Sequence, residues 1–342
     1  MNYIPNKFRY NNVTYNRCGK SGLLLPQMSL GLWHNFGGKV ILNESKKIIF
    51  EAFDKGITHF DLANNYGPPP GSAEINFGKI LSKEMKYYRD ELIISTKAGY
   101  DMWDGPYGEW GSKKYLIASL NQSLKRMGLD YVDIFYTHRF DPLTPLEETA
   151  EALVQAVNSG KALYIGISSY SSLQTKKINK LLKNRGIRCL IHQPSYSMLN
   201  RWIESDLLNT LDNEGIGCIV FSPLAQGMLS GKYLNNIKSG TRAGEKNSFI
   251  DKKMITSEYK FKIKKLSIIA KNRGQTLPQM ALSWCLRDKR ITSLVFGARN
   301  RKQLNENLKA LKNKKFDKSE IKEIDLYASE SNINIWKESS RF

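Results

Sequence analysis

The chain has 342 residues, 41% of them hydrophobic, which is enough for one large core. No run of about 18 apolar residues is present, so no membrane span is expected. Its 52 Lys and Arg against 32 Asp and Glu give a net charge of +20. The lysines are scattered along the chain, in stretches such as 260–265 and 309–315, which sets a nucleic-acid platform aside for a solvated surface.

In chain order, 1–16 is polar and aromatic and lacks the apolar stretch of a secretory signal. Segments 8–15 and 22–25, separated by Cys18-Gly19-Lys20-Ser21, read as a hairpin that plugs the N-terminal mouth of the domain behind it. Short apolar runs then alternate with longer amphipathic stretches. Strands are expected over 27–30, 58–61, 92–96, 132–137, 162–167, 190–192, 218–221 and 292–296. Helices are expected over 44–54, 72–81, 113–126, 146–158, 171–182, 205–213, 254–272 and 301–311, with Asn43 and Ser112 as candidate caps. Eight such units are what closes a (β/α)8 TIM barrel. An extra helix over 318–328 and a polar tail ending at Phe342 follow, and the longest irregular stretch is 232–253. One domain over 1–342 is expected: hairpin 1–26, barrel 27–313, and C-terminal helix and tail 314–342.

Cys18, Cys189, Cys218 and Cys285 form no CxxC pair, and Cys189 and Cys218 sit in strand-like runs. They read as reduced core thiols of a cytoplasmic protein. His34, His59, His138 and His192 share no ligand spacing with them, so no metal is expected.

Polar residues interrupt the apolar runs at one end of the predicted strands: Asp61, Lys97, His138, Ser168 with Ser169, Gln193, Ser222 and Gly297. In a barrel these ends open on the face where active sites sit. Folding alone gives no reason for so many buried polar strand ends, because each costs desolvation unless it has a partner. Asp61 and Lys97 fall on adjacent strands, and Tyr66 follows on the next loop. An ammonium beside a phenol favours the phenolate, so Lys97 is expected to lower the Tyr66 pKa from about 10. Asp61 would hold Lys97 charged, and His138 could hydrogen-bond a substrate oxygen or relay a proton. The set suits proton donation to a carbonyl oxygen while hydride reaches its carbon. Singly, each residue has a structural role open to it: a turn cap, a surface charge, a loop aromatic or a core imidazole.

The stretch Asp61-Leu-Ala-Asn-Asn-Tyr66, Lys97 in Ile-Ser-Thr-Lys-Ala-Gly and His138 in Phe-Tyr-Thr-His resemble the aldo-keto reductases over essentially the whole chain. Asn65-Tyr-Gly-Pro-Pro-Pro-Gly-Ser-Ala-Glu74, Ser95-Thr-Lys-Ala-Gly-Tyr-Asp-Met-Trp103, His192-Gln-Pro-Ser-Tyr196, Phe221-Ser-Pro-Leu-Ala-Gln-Gly227 and Asn334-Ile-Trp336 place the resemblance on a particular branch. That branch holds the bacterial L-glyceraldehyde 3-phosphate reductases and, beside them, the potassium-channel β-subunits. The resemblance implies a tetrad of Asp61, Tyr66, Lys97 and His138. The channel subunits carry asparagine at the position of His138, so histidine there favours a reductase.

No GxGxxG or GxxxxGK[ST] is present, consistent with NADP(H) lying extended across a barrel mouth. By resemblance, Ser168 and Gln193 hold the carboxamide and Phe221 stacks on the nicotinamide. Ser222, Leu224, Gln226, Gly227 and Ser230 line the pyrophosphate, and Gly31 and Trp33 sit on the first loop, with Asp61 and Gly297 also beside the cofactor. Lys232, Arg242 and Arg299 are the cations for a 2′-phosphate, while Gln303, Glu306 and Asn307 hold adenine and ribose. Arg299 departs from the family's usual serine: it could grip phosphate or project into solvent. Substrate contacts are expected from Trp33, Tyr66, Trp103 and His138, with Trp336 of the tail and Arg139 as further candidates. The implied function is NADPH-dependent reduction of small aldehydes such as L-glyceraldehyde 3-phosphate and methylglyoxal-like carbonyls, by a tetramer or octamer. Its alternative is a cofactor-holding redox sensor docked on a channel.

Overall fold

The computed structural model describes residues 3–234 and 252–329. Strands β1 (Tyr15–Arg17) and β2 (Leu24–Pro26) pair antiparallel, with Tyr15 opposite Pro26. Then come β3 (Met28–Gly31), β4 (His59–Asp61), β5 (Ile93–Ala98), β6 (Val132–Thr137), β7 (Ala162–Ser168), β8 (Cys189–Gln193), β9 (Gly217–Val220) and β10 (Ser293–Phe296). Each pairs parallel with its neighbour in sequence, and β10 closes on β3. The expected barrel is therefore present, with its strands within two residues of their predicted bounds.

The surrounding helices are α1 (Leu42–Asp54), α2 (Ser72–Ile80), α3 (Lys113–Met127), α4 (Leu146–Asn158), α5 (Ser172–Lys183), α6 (Leu207–Glu214), α7 (Ser257–Asn272), α8 (Leu277–Cys285), α9 (Arg301–Leu308) and α10 (Lys318–Asp325). Ser112 caps α3 by accepting the Tyr115 N–H, and Ser171 forms a capping box with Gln174 on α5. Asn43 does not cap α1: the helix starts two residues earlier than expected, after Ile41. Helix α7 begins at Ser257, capped by Thr256, and Lys252–Met254 makes a separate short turn.

Helix α8 has no counterpart in the sequence reading. It is buried nearly all round, from Leu277 through Trp284 to Cys285, so it lacks the polar face that periodicity detects. Its signal lies in the Thr276 and Gln279 capping box with a proline in the first turn.

The hairpin is shorter than expected. Residues 7–12 form turns, held by bonds such as Arg9 N–H to Asn6 O, and only 15–17 pair with β2. It nonetheless floors the barrel. Cys18 and Leu25 pack on Ile134, Tyr136, Ile191, Ile219 and Val295. Lys20 N–H donates to Gly215 O, and Gly19 sits at φ +53° where a Cβ would lie 2.2 Å from the Gly215 oxygen. Glycine is required there by both conformation and space. All four cysteines are buried free thiols, and burial pushes each of them up.

At the opposite end, loops follow the C-terminal ends of the strands. Every non-glycine residue at positive φ among the described residues lies on them: His34, Trp110, Ser169, Ser222, Ala225 and Gln226. Each costs about 1 kcal/mol or more, and such strain concentrates at functional sites. Of the irregular stretch 232–253, only 232–234 and 252–253 are described; Arg242, Trp336 and the rest of the tail lie outside the described residues.

Candidate active site

Alternation along β4 and β5 turns Asp61 and Lys97 into the barrel interior, where both side chains are buried. The Lys97 ammonium has three protons and three acceptors: Asp61 Oδ2 at 2.6 Å, Leu62 O at 2.7 Å and the Tyr66 hydroxyl oxygen at 3.4 Å. Asp61 Oδ1 accepts from Ser95 Oγ at 2.7 Å and from Gln193 Nε2 at 3.1 Å. Burying two charges costs several kcal/mol each, and only such complete pairing offsets it. Burial lowers the Lys97 pKa, and the neighbouring Asp61 opposes the fall.

Tyr66 and His138 stand at the mouth. Their rings meet edge to face at 5.9 Å, and Trp33 lies 5.9 Å from Tyr66 on another side. Lys97 was expected to lower the Tyr66 pKa. The opposite holds: burial is the dominant cause and, with Asp61 and Tyr100, raises it well above 10. Tyr66 is thus a neutral phenol. Because its oxygen accepts from Lys97, its own proton points elsewhere. His138 is pushed well below 6.5 by burial, Lys97 and Arg139, so it is a neutral imidazole. Its Nδ1 is buried without a partner. A neutral phenol with its proton available, backed by an ammonium and flanked by a neutral imidazole, can protonate an oxygen placed between them.

Sequence reasoning missed Tyr100, which packs edge-on against His138 at 4.7 Å. It also passed over Ser95 and the buried His59, which hydrogen-bond each other at 3.0 Å behind Asp61. Alternation along β4 and β5 carried that signal: His59 and Ser95 share the inward face with Asp61 and Lys97. Trp103 lies farther out, against Tyr115 at 5.2 Å; that phenol donates to Tyr100 O. Arg139 is engaged by the loop that follows β5. Its guanidinium stacks on Trp110 at 3.5 Å, donates to Gly99 O at 2.8 Å and pairs with Glu109.

The residues expected around a dinucleotide spread across the same mouth. Gly31 ends β3, where a Cβ would meet Val295 at 2.6 Å. Ser168 Oγ donates to the Gln193 carbonyl at 2.8 Å. Half-buried Phe221 follows β9, its N–H on Pro194 O. The next loop turns through Ser222, Leu224, Gln226 and Gly227, with the Ser230 hydroxyl donating to Gly227 O. The Lys232 Nζ folds back to 3.7 Å from the position of a Gly227 Cβ.

Gly297 and Arg299 are exposed beyond β10. The Arg299 N–H donates to Gln303 Oε1 at 2.9 Å, at the start of α9. Glu306 pairs with Lys309 at 2.6 Å and accepts from Gln279. Asn307 is buried with its Nδ2 lacking any partner, a donor that costs about 1–3 kcal/mol unless something outside the chain accepts from it. That orphaned amide, the left-handed loop with its ammonium, and the open glycine beyond β10 fit an adenine dinucleotide carrying phosphates. Among the described residues no His, Cys, Asp and Glu cluster has metal-holding geometry, and no helix is long and apolar enough to cross a membrane.

A parallel barrel whose C-terminal mouth joins a buried carboxylate–ammonium pair to a neutral phenol and imidazole defines an oxidoreductase of the carbonyl-reducing kind. The chain belongs to the Aldo/keto reductase family, which matches residues 27–328. It is 57% identical, over 99% of both chains, to the L-glyceraldehyde 3-phosphate reductases of Escherichia coli strain K12 and of Escherichia coli O157:H7. It is 35% identical to a probable voltage-gated potassium channel subunit beta of Arabidopsis thaliana, over 87% of this chain and 91% of that one.

Proposed function

We propose that the protein reduces small aldehydes with NADPH, with L-glyceraldehyde 3-phosphate as the leading substrate and methylglyoxal-like carbonyls as further ones. The observation that carries this reading is the Lys97 Nζ at 3.4 Å from the Tyr66 oxygen, with Asp61 at 2.6 Å behind it. The bound dinucleotide supplies the hydride. Tyr66 donates the proton to the carbonyl oxygen as negative charge develops there. Lys97 then stabilises the phenolate left behind, an interaction strongest after the proton has moved. Asp61 keeps the ammonium charged and in place. His138, neutral, hydrogen-bonds the substrate oxygen and orients it toward Tyr66.

Trp33 and Trp103 wall the substrate space with Tyr66 and His138. Gly31, Trp33, Asp61, Ser168, Gln193, Phe221 and Gly297 surround the nicotinamide end. Ser222, Leu224, Gln226, Gly227 and Ser230 hold the pyrophosphate. Lys232 and Arg299 would meet the 2′-phosphate, with Arg242, outside the described residues, as a third candidate cation, and Gln303, Glu306 and Asn307 would hold the adenosine. The family relationship and the full-length similarity to L-glyceraldehyde 3-phosphate reductases support this assignment. Channel-type accessory behaviour is distinguished by turnover. With NADPH and L-glyceraldehyde 3-phosphate or methylglyoxal, repeated loss of reduced-cofactor absorbance is expected, with NADH much weaker. A single stoichiometric loss would overturn the reading. The same preparation tests for a tetramer or octamer by sedimentation, and a cytoplasmic enzyme should work under reducing conditions.

A further inference from the structure

A column of polar side chains runs through the barrel interior beneath Asp61. Ser293 Oγ donates to Pro26 O at 2.6 Å on the floor and lies 2.8 Å from Ser29 Oγ. Ser29 Oγ is 3.0 Å from His59 Nδ1, His59 Nε2 is 3.0 Å from Ser95 Oγ, and Ser95 donates to Asp61 Oδ1. All of these side chains are fully buried. The inward positions around them carry Ile93, Ile134, Ile191, Ile219 and Val295, so apolar side chains are the local default. A buried polar column among them is costly unless it is hydrogen-bonded throughout.

The column is one proton short. Three hydroxyls and a neutral imidazole bring four protons to five contacts, since Pro26 O and the Asp61 carboxylate only accept. The tautomer of His59 decides on which side of the ring the gap lies. With the proton on Nε2, the ring donates to Ser95, Ser95 donates to Asp61, and the unfilled contact falls below the ring. With the proton on Nδ1, the ring donates downward through Ser29 to Ser293, and the gap falls above it. Either Ser95 turns to the ring and Asp61 Oδ1 loses it, or Ser95 stays on Asp61 with no donor beneath to fix its orientation.

We infer that His59 is a positioning residue for the proton-donating machinery: its Nε2–H tautomer holds the Ser95 hydroxyl on Asp61 Oδ1, which fixes the other carboxylate oxygen against Lys97. A carboxylate oxygen held by a donor whose orientation is set below it cannot rotate away from the ammonium. Asp61 and Lys97 are the charged groups acting on the ring: Asp61 favours and Lys97 opposes a second proton. Burial pushes the imidazole down to about 4, so at neutral pH the two neutral tautomers are the competing states. This inference rests on the roles proposed above for Asp61 and Lys97.

Ring-nitrogen NMR of the full chain labelled at histidine reads the tautomer independently of activity, and the protein has only four histidines to assign. The Nε2–H form is expected for His59; the Nδ1–H form overturns the inference. Kinetics give the second test. Ser95→Ala should lower kcat about tenfold, as loss of one hydrogen bond to a charged group does, with the KM for aldehyde nearly unchanged. His59→Leu should match it, the Ser95→Ala, His59→Leu double variant should be no worse, and His59→Gln, which keeps a donor for Ser95, should recover part of the rate. Additive losses, or wild-type kcat in folded Ser95→Ala, overturn the inference. Failure of the Tyr66 assignment would show instead in a Tyr66→Phe enzyme that keeps full turnover, with the tautomer untouched.

Discussion

Acid should destabilise this fold steeply before its carboxylates protonate. His59 and His192 are both fully buried and both pushed down to about 4 by desolvation, from an ordinary value of 6.5. In the unfolded chain each takes up a proton as pH falls through 6.5, while the folded chain refuses it until about 4. Their contribution is therefore constant above pH 6.5 and is lost progressively between 6.5 and 4. Two imidazoles, each differing by almost one proton at about 1.4 kcal/mol per pH unit, give a slope of about 2.4 kcal/mol per pH unit near pH 5. From pH 7 to pH 5 the loss is on the order of 4 kcal/mol, a large part of a typical domain's stability. His138, also lowered, acts in the same direction.

Urea unfolding at fixed ionic strength between pH 7 and pH 5 measures the effect, with the midpoint falling and the slope against denaturant unchanged. His192→Gln should reduce the loss between pH 7 and pH 5 by about 2 kcal/mol, one imidazole's share. A midpoint flat from pH 7 to pH 5 would refute the claim that these imidazoles are buried and neutral.

Two further outcomes follow from the geometry. Gly19→Ala places a Cβ at positive φ within 2.2 Å of the Gly215 oxygen and should cost about 3 kcal/mol in thermal or denaturant unfolding. Lys232→Ala should weaken NADPH roughly tenfold while barely changing NADH, because the 2′-phosphate proposed to meet its ammonium is absent from NADH. Titration of cofactor fluorescence separates the two, and equal losses for both cofactors would place Lys232 away from the 2′-phosphate.

The barrel was legible because the strands are short apolar runs bounded by polar ends, and polarity at those ends also exposed Asp61, Lys97 and His138. Periodicity failed where there is no amphipathic contrast: α8 is buried on all sides. The sign of the Tyr66 shift was not legible either. A sequence shows that Lys97 is near, but the depth of the phenol decides whether attraction or desolvation prevails, and depth is a property of the closed barrel. The partners of Arg139 were not legible, because Trp110, Tyr100 and Glu109 meet it only through contacts across loops. The polar column under Asp61 escaped notice because Ser29, His59, Ser95 and Ser293 come from four strands spread over more than 260 residues.

The most direct measurement is single-turnover reduction of L-glyceraldehyde 3-phosphate by Tyr66→Phe, beside an NADPH titration of the same variant. The hydroxyl is the only atom removed, and Lys97 keeps Asp61 and Leu62 O as partners. Loss of about a thousandfold or more in the reduction step with NADPH affinity nearly intact is the expected result. Wild-type reduction without that hydroxyl would contradict the proton-donor assignment.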